Sequence, residues 1–442
     1  MAKDTIYDFI IVGSGPGGAT LAKELSAPSR SVLLLEYGPR LTSTGLLRLA
    51  RKAYLGPDGR LVKTDGGLYI GRTQMLGGSS YVAMGNAVTP PDELLAEWGI
   101  DLSIELAEAR ADLGVVPIPN EFVGPATRSV IAGARTLGYE MLPTPKNVDF
   151  GACTGCGLCL FGCPSGAKWT ALDPVDQAVD QGLELHTGTK VTEVLRANGR
   201  AVGVAAIDGN SRVEYRGGTV IVSAGALGTP IILQNSGIPQ AGQGLAVDAF
   251  QGTYGYTGEN VSMQKEPVMG AYLHQFERGL FAAPYMVPPF LLVRDLEGGQ
   301  DVAPSIAEQA RMILKSQRVR TRGLMGMITK IRDEMTGTVH TDGTVSKSLT
   351  ESDRVKIAEG RELMTDILAA SGVDPSTLFT GVIEAGHPCG TAGIGRVVDE
   401  HQETEIKGLY VSDASIFPTT PGLPPILTIV AFSKRLAKQL LA

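Results

Sequence analysis

Four cysteines lie within a span of eleven residues in a chain of 442 residues. In order they are Cys153, Cys156, Cys159 and Cys163, and a proline follows the last of them directly. A chain with five cysteines has too few for a disulfide framework, so clustered thiols indicate a metal or redox site. The spacing C-x2-C-x2-C-x3-C-P is that of an iron–sulfur ligand run, and the intervening glycines free the backbone to wrap around a cluster. The run therefore predicts an iron–sulfur cluster, with 4Fe–4S as the expected form.

Two other uses of these cysteines stay open. Zinc is one, although structural zinc sites usually divide their ligands into two separated pairs. A metal-free cysteine loop is the other. The fifth cysteine, Cys389, stands alone in the C-terminal part of the chain. It is either a remote ligand, should only three cysteines of the run bind one cluster, or a packing residue.

A glycine-rich turn near the N-terminus has the spacing of a dinucleotide-binding loop. Gly13, Gly15 and Gly18 form G-x-G-x-x-G between an apolar run at residues 7–13 and a helical segment. The first glycine permits the tight turn, the second lets the backbone approach a pyrophosphate, and the third lets helix and strand pack closely. Glu36 ends the next apolar run, where a carboxylate can accept hydrogen bonds from ribose hydroxyls. These residues predict a bound dinucleotide.

The end of the chain indicates which dinucleotide it is. Residues 408–415 are predicted to form a strand that stops at Asp413, similar to the second flavin-binding strand of FAD proteins, in which this aspartate faces the ribityl–phosphate portion. A helix is predicted over residues 427–441, and Pro425 near its start loses no hydrogen bond there. The partial positive charge of that helix N-terminus would favour an anionic reduced flavin. FAD is therefore favoured over NAD.

A parallel sheet must position these residues. The order strand, helix, strand over residues 7–36 predicts a βαβ unit, and another strand is expected at 219–223, after an antiparallel excursion near 183–216. A charged amphipathic helix is expected over 350–371, whereas residues 250–345 lack regular patterning. The predicted fold class is α/β, with a discontinuous Rossmann-like FAD-binding domain (1–98, 183–245 and 381–442), an insert with the cysteines (99–182) and a smaller α+β substrate domain (246–380).

Composition limits the partners. The net charge of −7, with no basic run, argues against nucleic acid. No segment reaches the roughly 18 uninterrupted apolar residues that a membrane helix needs, and residues 1–7 lack a secretory pattern. Glycine is enriched, at 56 of 442 residues, and clustered, which indicates backbone held against a ligand. We expect a cytoplasmic protein, with association at a membrane surface left open.

Four separated segments resemble the glucose–methanol–choline (GMC) oxidoreductases. They are the N-terminal glycine motif through Glu36, GRTQMLGGSSYVAMGNA at 71–87, SAGALGTPIILQNSGI at 223–238, and a C-terminal block that begins GHPCGT and includes GLYVSDAS. The resemblance spans most of the chain and implies an FAD-binding domain, a substrate domain over the flavin face, and oxidation of a CH–OH group. The iron–sulfur-containing sugar dehydrogenases and long-chain alcohol oxidases of this family have similar cysteine-rich segments.

The resemblance also implies the roles of individual residues. Flavin contacts carry over to Gly77, Gly78, Ser79, Ser80, Asn86, Val191, Ala224, Gly225 and Ala414. His387, in GHPCGT, falls where the family has its active-site histidine, so it would accept the hydroxyl proton.

The chain departs from the family pattern at two positions. Ala83 stands where the family's LGGSS segment usually continues to an Asn at the flavin, and whether Asn86 substitutes stays open. The family's second His or Asn, just before the terminal helix, is replaced at or beside Pro424, which has neither a donor nor a titratable side chain. Either His387 works alone, or a partner comes from elsewhere, or the substrate hydroxyl is held differently.

Together these features predict an FAD-dependent dehydrogenase of alcohols or sugars. His387 takes the hydroxyl proton, flavin N5 takes the hydride, and the cluster relays electrons to a protein or quinone acceptor. Such a relay favours a dehydrogenase over an oxygen-using oxidase. The alternatives are a lyase on the same scaffold, an alcohol oxidase without a functional cluster, and an electron-transfer module reduced by another protein. Self-association or additional subunits stay open.

Overall fold

The computed structural model describes residues 5–41, 62–287 and 322–442, together with Leu292. The predicted segments 1–98 and 246–380 therefore include positions that lie outside the described residues. The strands of the described residues are, in chain order, β1 Ile6–Val12, β2 Val32–Glu36, β3 Val62–Lys63, β4 Tyr69–Ile70, β5 Val116–Pro117, β6 Leu142–Pro143, β7 Pro145–Lys146, β8 Glu184–Thr187, β9 Thr189–Ala197, β10 Arg200–Asp208, β11 Ser211–Val222, β12 Gln243–Leu245, β13 Ala249–Tyr256, β14 Ala271–Gln275, β15 Leu280–Pro284, β16 Leu324–Ile331, β17 Gly337–Val339, β18 Val345–Ser346, β19 Phe379–Thr380, β20 Glu384–Ala385 and β21 Leu409–Val411.

The helices connect and cover these strands. The α-helices of the described residues are α1 Pro16–Leu25, α2 Asp92–Trp98, α3 Ser103–Asp112, α4 Pro125–Thr136, α5 Leu172–Asp180, α6 Gly225–Asn235, α7 Glu351–Ala370 and α8 Ile426–Leu441. Short 3₁₀ helices span Gly78–Val82, Asn120–Phe122, Met263–Lys265, Phe276–Arg278, Pro375–Thr377 and Ala414–Ile416. Among the described residues, none of the helices has both the length and the apolar character that crossing a bilayer requires.

The first sheet is the predicted nucleotide-binding sheet. Its strand order is β8-β2-β1-β11-β10-β9, with β21 paired to β11. Strands β8, β2, β1, β11 and β21 are parallel, and β2 is buried at all of its positions because a parallel sheet is covered on both faces. The predicted antiparallel excursion is confirmed as β9, β10 and the first half of β11. The short strand predicted at 219–223 is the end of the longer β11.

The terminal helix belongs to the same domain as the N-terminal turn. Helix α8 packs between α1 and α3, and α1 also packs against α5. A Cβ on Gly17 would lie 1.9 Å from the carbonyl oxygen of Ser412, so α1 and the segment after β21 are in direct backbone contact. Gly17 and Ser412, which are 395 residues apart in the sequence, therefore meet in one discontinuous domain, as predicted.

A second, nine-stranded sheet forms the substrate domain. Its order is β3-β4-β20-β13-β16-β15-β14-β6, with β19 paired to β13, and α7 packs on β13 and β16. Residues 250–345, whose sequence patterning is less regular, contain β13, β15 and β16, which pair as regular antiparallel strands. Strand β16 is buried at every position, so it shows no alternation of polar and apolar residues. The predicted α/β class with a separate substrate domain is confirmed.

Candidate active site

The glycine turn between β1 and α1 has the geometry that its three roles require. Gly13 has a φ of +95°, and a Cβ there would lie 2.4 Å from the carbonyl oxygen of Ser223. A Cβ on Gly18 would lie 1.9 Å from the Gly13 carbonyl oxygen, so only glycine permits this packing of helix on strand. A Cβ on Gly15 would meet no atom within 4 Å. Gly15 thus borders open space beside the N-terminus of α1, where a pyrophosphate is expected.

Glu36 holds this turn in place. Its carboxylate accepts hydrogen bonds from the Ser14 amide at 3.0 Å, the Ser14 hydroxyl at 2.6 Å and the Gly38 amide at 2.6 Å. Burial raises the pKa of Glu36, while these hydrogen bonds oppose the rise. The Ser14 hydroxyl in turn accepts from the Gly77 amide at 3.0 Å. The predicted ribose acceptor is therefore also a structural link between the turn and the Gly77 segment.

The predicted flavin-contacting segment lies directly against the turn. A Cβ on Gly78 would approach the Cα of Gly15 to 3.0 Å, and both Gly77 and Gly78 have positive φ angles. Ser80 donates to the Gly77 carbonyl oxygen at 2.6 Å, and Ser79 accepts from the Thr73 amide at 3.1 Å. The serines stabilise the shape of the segment, and its backbone is what approaches the expected cofactor.

Asp413 joins the end of β21 to the start of α6. Its carboxylate accepts from the Gly225 amide at 2.9 Å, the Thr229 hydroxyl at 2.5 Å and the Ser415 amide at 2.8 Å. Burial raises its pKa, and the hydrogen bonds oppose that rise. Ala224 precedes α6 as its N-cap, so the predicted contacts at 224–225 and 413–414 are adjacent in space.

Two buried hydroxyls around this region have no hydrogen-bond partner among the described residues. They are Ser223 Oγ behind the glycine turn and Thr73 Oγ1 before the Gly77 segment. An unsatisfied buried hydroxyl costs about 1–3 kcal/mol, so such groups are usually paired with a ligand or ordered water. Together with the open space at Gly15, these hydroxyls show that the residues fit a dinucleotide cofactor.

The remaining three predicted flavin contacts, Pro425, Val191 and Asn86, lie in three different parts of the structure. Pro425 is the N-cap of α8, and Val191 lies buried in β9. The Asn86 side chain accepts from Lys146 Nζ at 2.6 Å and donates to Met269 Sδ at 2.8 Å. Its amide is therefore engaged with Lys146 and Met269, and its contact with flavin stays a prediction.

His387 lies in a charged triplet. Its Nδ1 is 3.0 Å from Asp248 Oδ2, and Lys330 Nζ is 3.2 Å from Nδ1 and 3.5 Å from Nε2. The histidine side chain is 29% exposed, whereas that of Asp248 is fully buried. His387 and Asp248 both have left-handed backbone angles, with φ of +42° and +43°. Such strain in non-glycine residues persists where the surrounding structure enforces it, and it is concentrated at functional sites.

A second buried ion pair positions this triplet. Asp333 accepts from the amides of Val247 and Asp248, at 3.1 and 2.8 Å, and pairs with Lys347 Nζ at 2.7 Å. Neither side chain of that pair is exposed. Asp248 also accepts from the Thr420 hydroxyl at 2.8 Å. The carboxylate that orients His387 is therefore fixed from two directions.

The environment of His387 favours its neutral form. Burial and the nearby Lys330 ammonium lower the pKa of His387, and Asp248 partly opposes them. Burial lowers the pKa of Lys330 to about 8, again opposed by Asp248. If Asp248 accepts the Nδ1 proton, Nε2 keeps its lone pair and can accept a proton from a substrate hydroxyl.

The other four histidines have different surroundings. His186 contacts Glu184 and Tyr215, His340 contacts Ser346, and His401 is exposed beside Glu400. Half-buried His274 stacks edge-on against Phe276, and burial lowers its pKa to about 4. Among these five, His387 alone combines a buried carboxylate, a lysine and a partly exposed ring.

Asp248 and Lys330 were missed in the sequence. Asp248 directly precedes β13, and Lys330 lies within β16. Both strands belong to the region whose sequence patterning is less regular. A usable signal exists for Lys330, since LMGMITKI contains a single charge in an otherwise apolar strand. A charge in a buried strand needs a partner or a function. Asp248 has no comparable local signal.

The cysteine loop does not assemble a ligand set. Cys156 is exposed, and Cys153, Cys159 and Cys163 are half-buried. Across the described residues, no three His, Cys, Asp or Glu side chains are grouped so that they could hold a metal ion. The predicted iron–sulfur cluster is therefore not shown.

Two lysines are buried beneath this loop. Lys146 and Lys168 donate to backbone carbonyls, Lys168 to those of Tyr81, Ala83 and Cys159 among others. Burial lowers the pKa of each to about 8, while the loop thiols oppose the shift. Neither forms an ion pair with a carboxylate of the described residues. The loop thus lies over two lysines that no carboxylate of the described residues neutralises.

Residues 77–83 separate the glycine turn from the cysteine loop. On one side, Gly78 approaches Gly15, as described above. On the other, a Cβ on Gly162 would lie 2.8 Å from the Tyr81 ring, and Lys168 binds the Tyr81 and Ala83 carbonyls. One short segment therefore contacts both sites.

Cys389 is not part of the cysteine loop. It is buried in the main core, and its backbone pairs with that of Ala246. Burial raises the pKa of its thiol well above the ordinary value, with Asp248 and Asp333 adding to the rise. Cys389 was predicted to be either a remote cluster ligand or a packing residue, and its position in the core agrees with packing.

The two-domain fold places the chain among the flavoprotein oxidoreductases with a Rossmann-like nucleotide domain. Within that class it belongs to the GMC oxidoreductase family, because the family's N-terminal model matches residues 7–266 and its C-terminal model matches residues 334–433. The resemblance stated from the sequence is thereby confirmed, as is the prediction of an oxidoreductase acting on CH–OH groups. FAD is the cofactor expected of this family.

Relatives and a solved structure agree with this membership. An uncharacterized GMC-type oxidoreductase of Mycobacterium tuberculosis is 28% identical over 99% of this chain and 76% of its own length. A long-chain-alcohol oxidase of Arabidopsis thaliana is 24% identical over 96% of this chain and 66% of its own length. The crystal structure of pyridoxine 4-oxidase from Mesorbium loti matches with a TM-score of 0.71 and 17% identity, covering 98% of this chain and 99% of that chain.

Proposed function

We propose that this protein is an FAD-dependent alcohol dehydrogenase in which His387 is the catalytic base. The observation that supports it best is the Asp248–His387 pair, which is strained, oriented and partly open. A base within about 3 Å of a hydroxyl, with its pKa near the working pH, is what removal of an alcohol proton requires. A similar alcohol oxidase among the relatives agrees with an alcohol as substrate.

The cofactor would be held by backbone more than by side chains. The glycine turn, Gly77–Ser80, Ala224–Gly225 and Asp413–Ala414 would surround it, and the N-terminus of α8 would face the ring with its partial positive charge. When bound, FAD supplies the two-electron acceptor for hydride from the alcohol carbon.

The protein side of the reaction is proton removal. Asp248 accepts the Nδ1 proton of His387 and so selects the tautomer whose Nε2 lone pair faces the hydroxyl. Because burial and Lys330 lower the pKa of His387, the ring is neutral at pH 7 and ready to accept. The proton passes to Nε2 as the oxygen becomes a carbonyl.

Anaerobic mixing of the FAD-loaded protein with a panel of primary alcohols, diols and sugars tests this function. Loss of flavin absorbance near 450 nm with at least one alcohol, and formation of the matching aldehyde or ketone, is expected. Oxidised flavin after every alcohol, combined with cleavage of a cyanohydrin, would instead establish the lyase alternative.

The iron–sulfur cluster is a second, separate proposal. It is supported by the cysteine spacing, by positive φ angles at Gly155, Gly157 and Gly162 that let the loop curl, and by the two buried ammonium groups of Lys146 and Lys168 beneath the thiols. A thiolate-ligated cluster is anionic, so it would supply the negative charge that these lysines lack. When bound, a cluster supplies one-electron transfer, which suits a protein or quinone acceptor.

Metal analysis decides this second proposal independently of the first. We expect iron and labile sulfide in near-equal amounts in protein purified without oxygen, and an EPR signal after reduction. The Cys159→Ser variant should lose the signal, whereas Cys389→Ser should keep it. Zinc at unit stoichiometry without iron, or no metal at all, would refute the relay.

A further inference from the structure

Lys330 has a position that structural stability alone does not explain. It lies in the fully buried strand β16, with 7% of its surface exposed, and its Nζ has the two ring nitrogens of His387 as its hydrogen-bonding neighbours. An ammonium group has three donors, whereas a neutral imidazole whose Nδ1 proton is given to Asp248 has one lone pair, at Nε2, and the proposed reaction needs that lone pair for the hydroxyl proton. Donor capacity therefore remains at the place where the His387 ring is exposed.

Two other buried lysines are paired with carboxylates, whereas Lys146 and Lys168 donate to backbone carbonyls. Lys347 pairs with Asp333 at 2.7 Å, and Lys434 pairs with Glu24 at 2.7 Å and Asp112 at 2.8 Å. Lys330 has no such ion pair among the described residues, and the Phe250 ring centroid lies 5.9 Å from its Nζ. Burying an ammonium group without a bonded carboxylate is unfavourable, so this arrangement requires another explanation.

The turn before α8 supplies no side-chain donor for a substrate oxygen. Its sequence, Pro-Gly-Leu-Pro-Pro at 421–425, offers no side-chain donor or acceptor to an alcohol. An oxygen hydrogen-bonded to Nε2 lies within reach of an ammonium group that is itself 3.5 Å from Nε2.

We propose that Lys330 is a second catalytic residue, whose ammonium group binds the hydroxyl oxygen of the alcohol and stabilises negative charge there while His387 removes the proton. The inference rests on the function proposed above. The O–H proton goes to Nε2, the electron pair of the C–H bond leaves as hydride to bound FAD, and the oxygen ends as a neutral carbonyl. Lys330 keeps its own proton throughout, as a fixed donor aimed at developing charge.

The pH profile should report this role. The charged groups that act on the triplet are those of Asp248, Lys330 and His387, with the Asp333–Lys347 pair behind Asp248. His387 must be neutral, so activity falls below its lowered pKa. Lys330 must be protonated, and burial sets its pKa to about 8, so activity also falls above that pH. A bell-shaped profile follows.

Single-turnover flavin reduction by an alcohol, in FAD-loaded protein from pH 5 to 10, tests the proposal. Lys330→Met should lower the limiting rate about 10²- to 10³-fold and remove the alkaline limb, because one charge-stabilising donor is lost. Lys330→Arg should recover much of the rate and move the alkaline limb above pH 10, because guanidinium stays protonated. Lys407→Met, at an exposed lysine, should behave as the native protein.

The outcomes separate the two proposals. If the native protein is not reduced by any alcohol, the proposed function fails. If it is reduced, but Lys330→Met with full FAD content keeps the native rate or the native alkaline limb, the role of Lys330 is refuted. A rate that falls equally in the Met and Arg variants, with the alkaline limb unchanged in both, would show a packing role only.

Discussion

The surroundings of His387 and the cysteine loop of residues 153–163 both contain buried lysines whose pKa values burial lowers to about 8. Around His387 the polar groups come from strands and their ends, and Asp248 and Asp333 supply the opposite charges. In the cysteine loop one thiol is exposed and three are half-buried, and no carboxylate of the described residues pairs with Lys146 or Lys168. The first site is complete before a ligand binds, whereas the second has its positive charges in place and its ligands unassembled.

The difference shows where the fold itself does the positioning. A sheet fixes side chains to a fraction of an ångström, so it suits a proton transfer that depends on distance. A glycine-rich loop can adapt to a ligand but holds no geometry without one. Changes at the His387 site should therefore alter rate or stability directly, and changes in the loop should act mainly through what the loop binds.

The Asp333–Lys347 pair should give the largest effect. Lys347→Met leaves a buried carboxylate unpaired and should lower the free energy of unfolding by about 3–5 kcal/mol. Burial holds the pKa of Asp333 at about 6, above its ordinary 3.8. Its contribution to stability is therefore present below pH 3.8 and is lost as the pH rises through 6, so the deficit should be larger at pH 8 than at pH 5.

Urea unfolding at both pH values measures this deficit. Lys407→Met is the matched control, since Lys407 and its partner Glu403 form a surface pair, and it should have little effect. An equal, small change in both variants would mean that the His387 site is not held by this pair.

Removing the charge of Asp248 should give the next largest effect. Asp248→Asn should reduce the rate of flavin reduction about 10- to 100-fold, because the tautomer and orientation of His387 are no longer fixed. Asp248 raises the pKa of His387, so the acidic limb of the pH profile should move to lower pH. A limb that stays in place or moves upward would contradict the pairing.

A methyl group on the glycine turn should weaken cofactor binding. Gly15→Ala places a Cβ in open space at an ordinary backbone angle, so folding should be unaffected, but FAD affinity should fall about tenfold if pyrophosphate occupies that space. Gly218→Ala, whose Cβ would also meet nothing within 4 Å, is the control. Titration of the apoprotein with FAD, followed by fluorescence, makes the measurement.

The smallest effect is expected in the loop. Cys156→Ser should change the rate of alcohol-driven flavin reduction less than about threefold, because the exposed Cys156 thiol does not contact the His387 triplet. Turnover with a one-electron acceptor should fall together with iron content. A large loss in the reductive half-reaction would mean that the two regions are one site.

Local sequence patterns correctly predicted those turns, strands and helices whose structure is determined by residues close to them in the chain. The glycine spacing, the apolar runs of β1 and β2, and the helix over 350–371 are each encoded within a few turns of backbone, and they were predicted correctly. Helix α7 begins with a capping box between Thr350 and Asp353, which is also a local signal. His387 was singled out through its motif, and its catalytic role stays a prediction.

The pairing of strands that are distant in the chain could not be predicted from the sequence. Phe250 lies opposite Lys330 only because β13 pairs with β16, which places Lys330 beside the segment that begins with Asp248. Glycines and methionines in these strands interrupt the alternation that would have revealed them, and burial on both faces removes it from β16. The contacts of Asp248 and Lys330 with His387 therefore appear only in the folded protein.

Anaerobic reduction of FAD-loaded protein by an alcohol, compared between the native chain and His387→Ala, tests the central claim most directly. With equal FAD content, the variant should be reduced about 10²- to 10⁴-fold more slowly, while His401→Ala, at an exposed histidine, should match the native protein. Reduction of His387→Ala at the native rate would contradict the claim that this histidine accepts the alcohol proton.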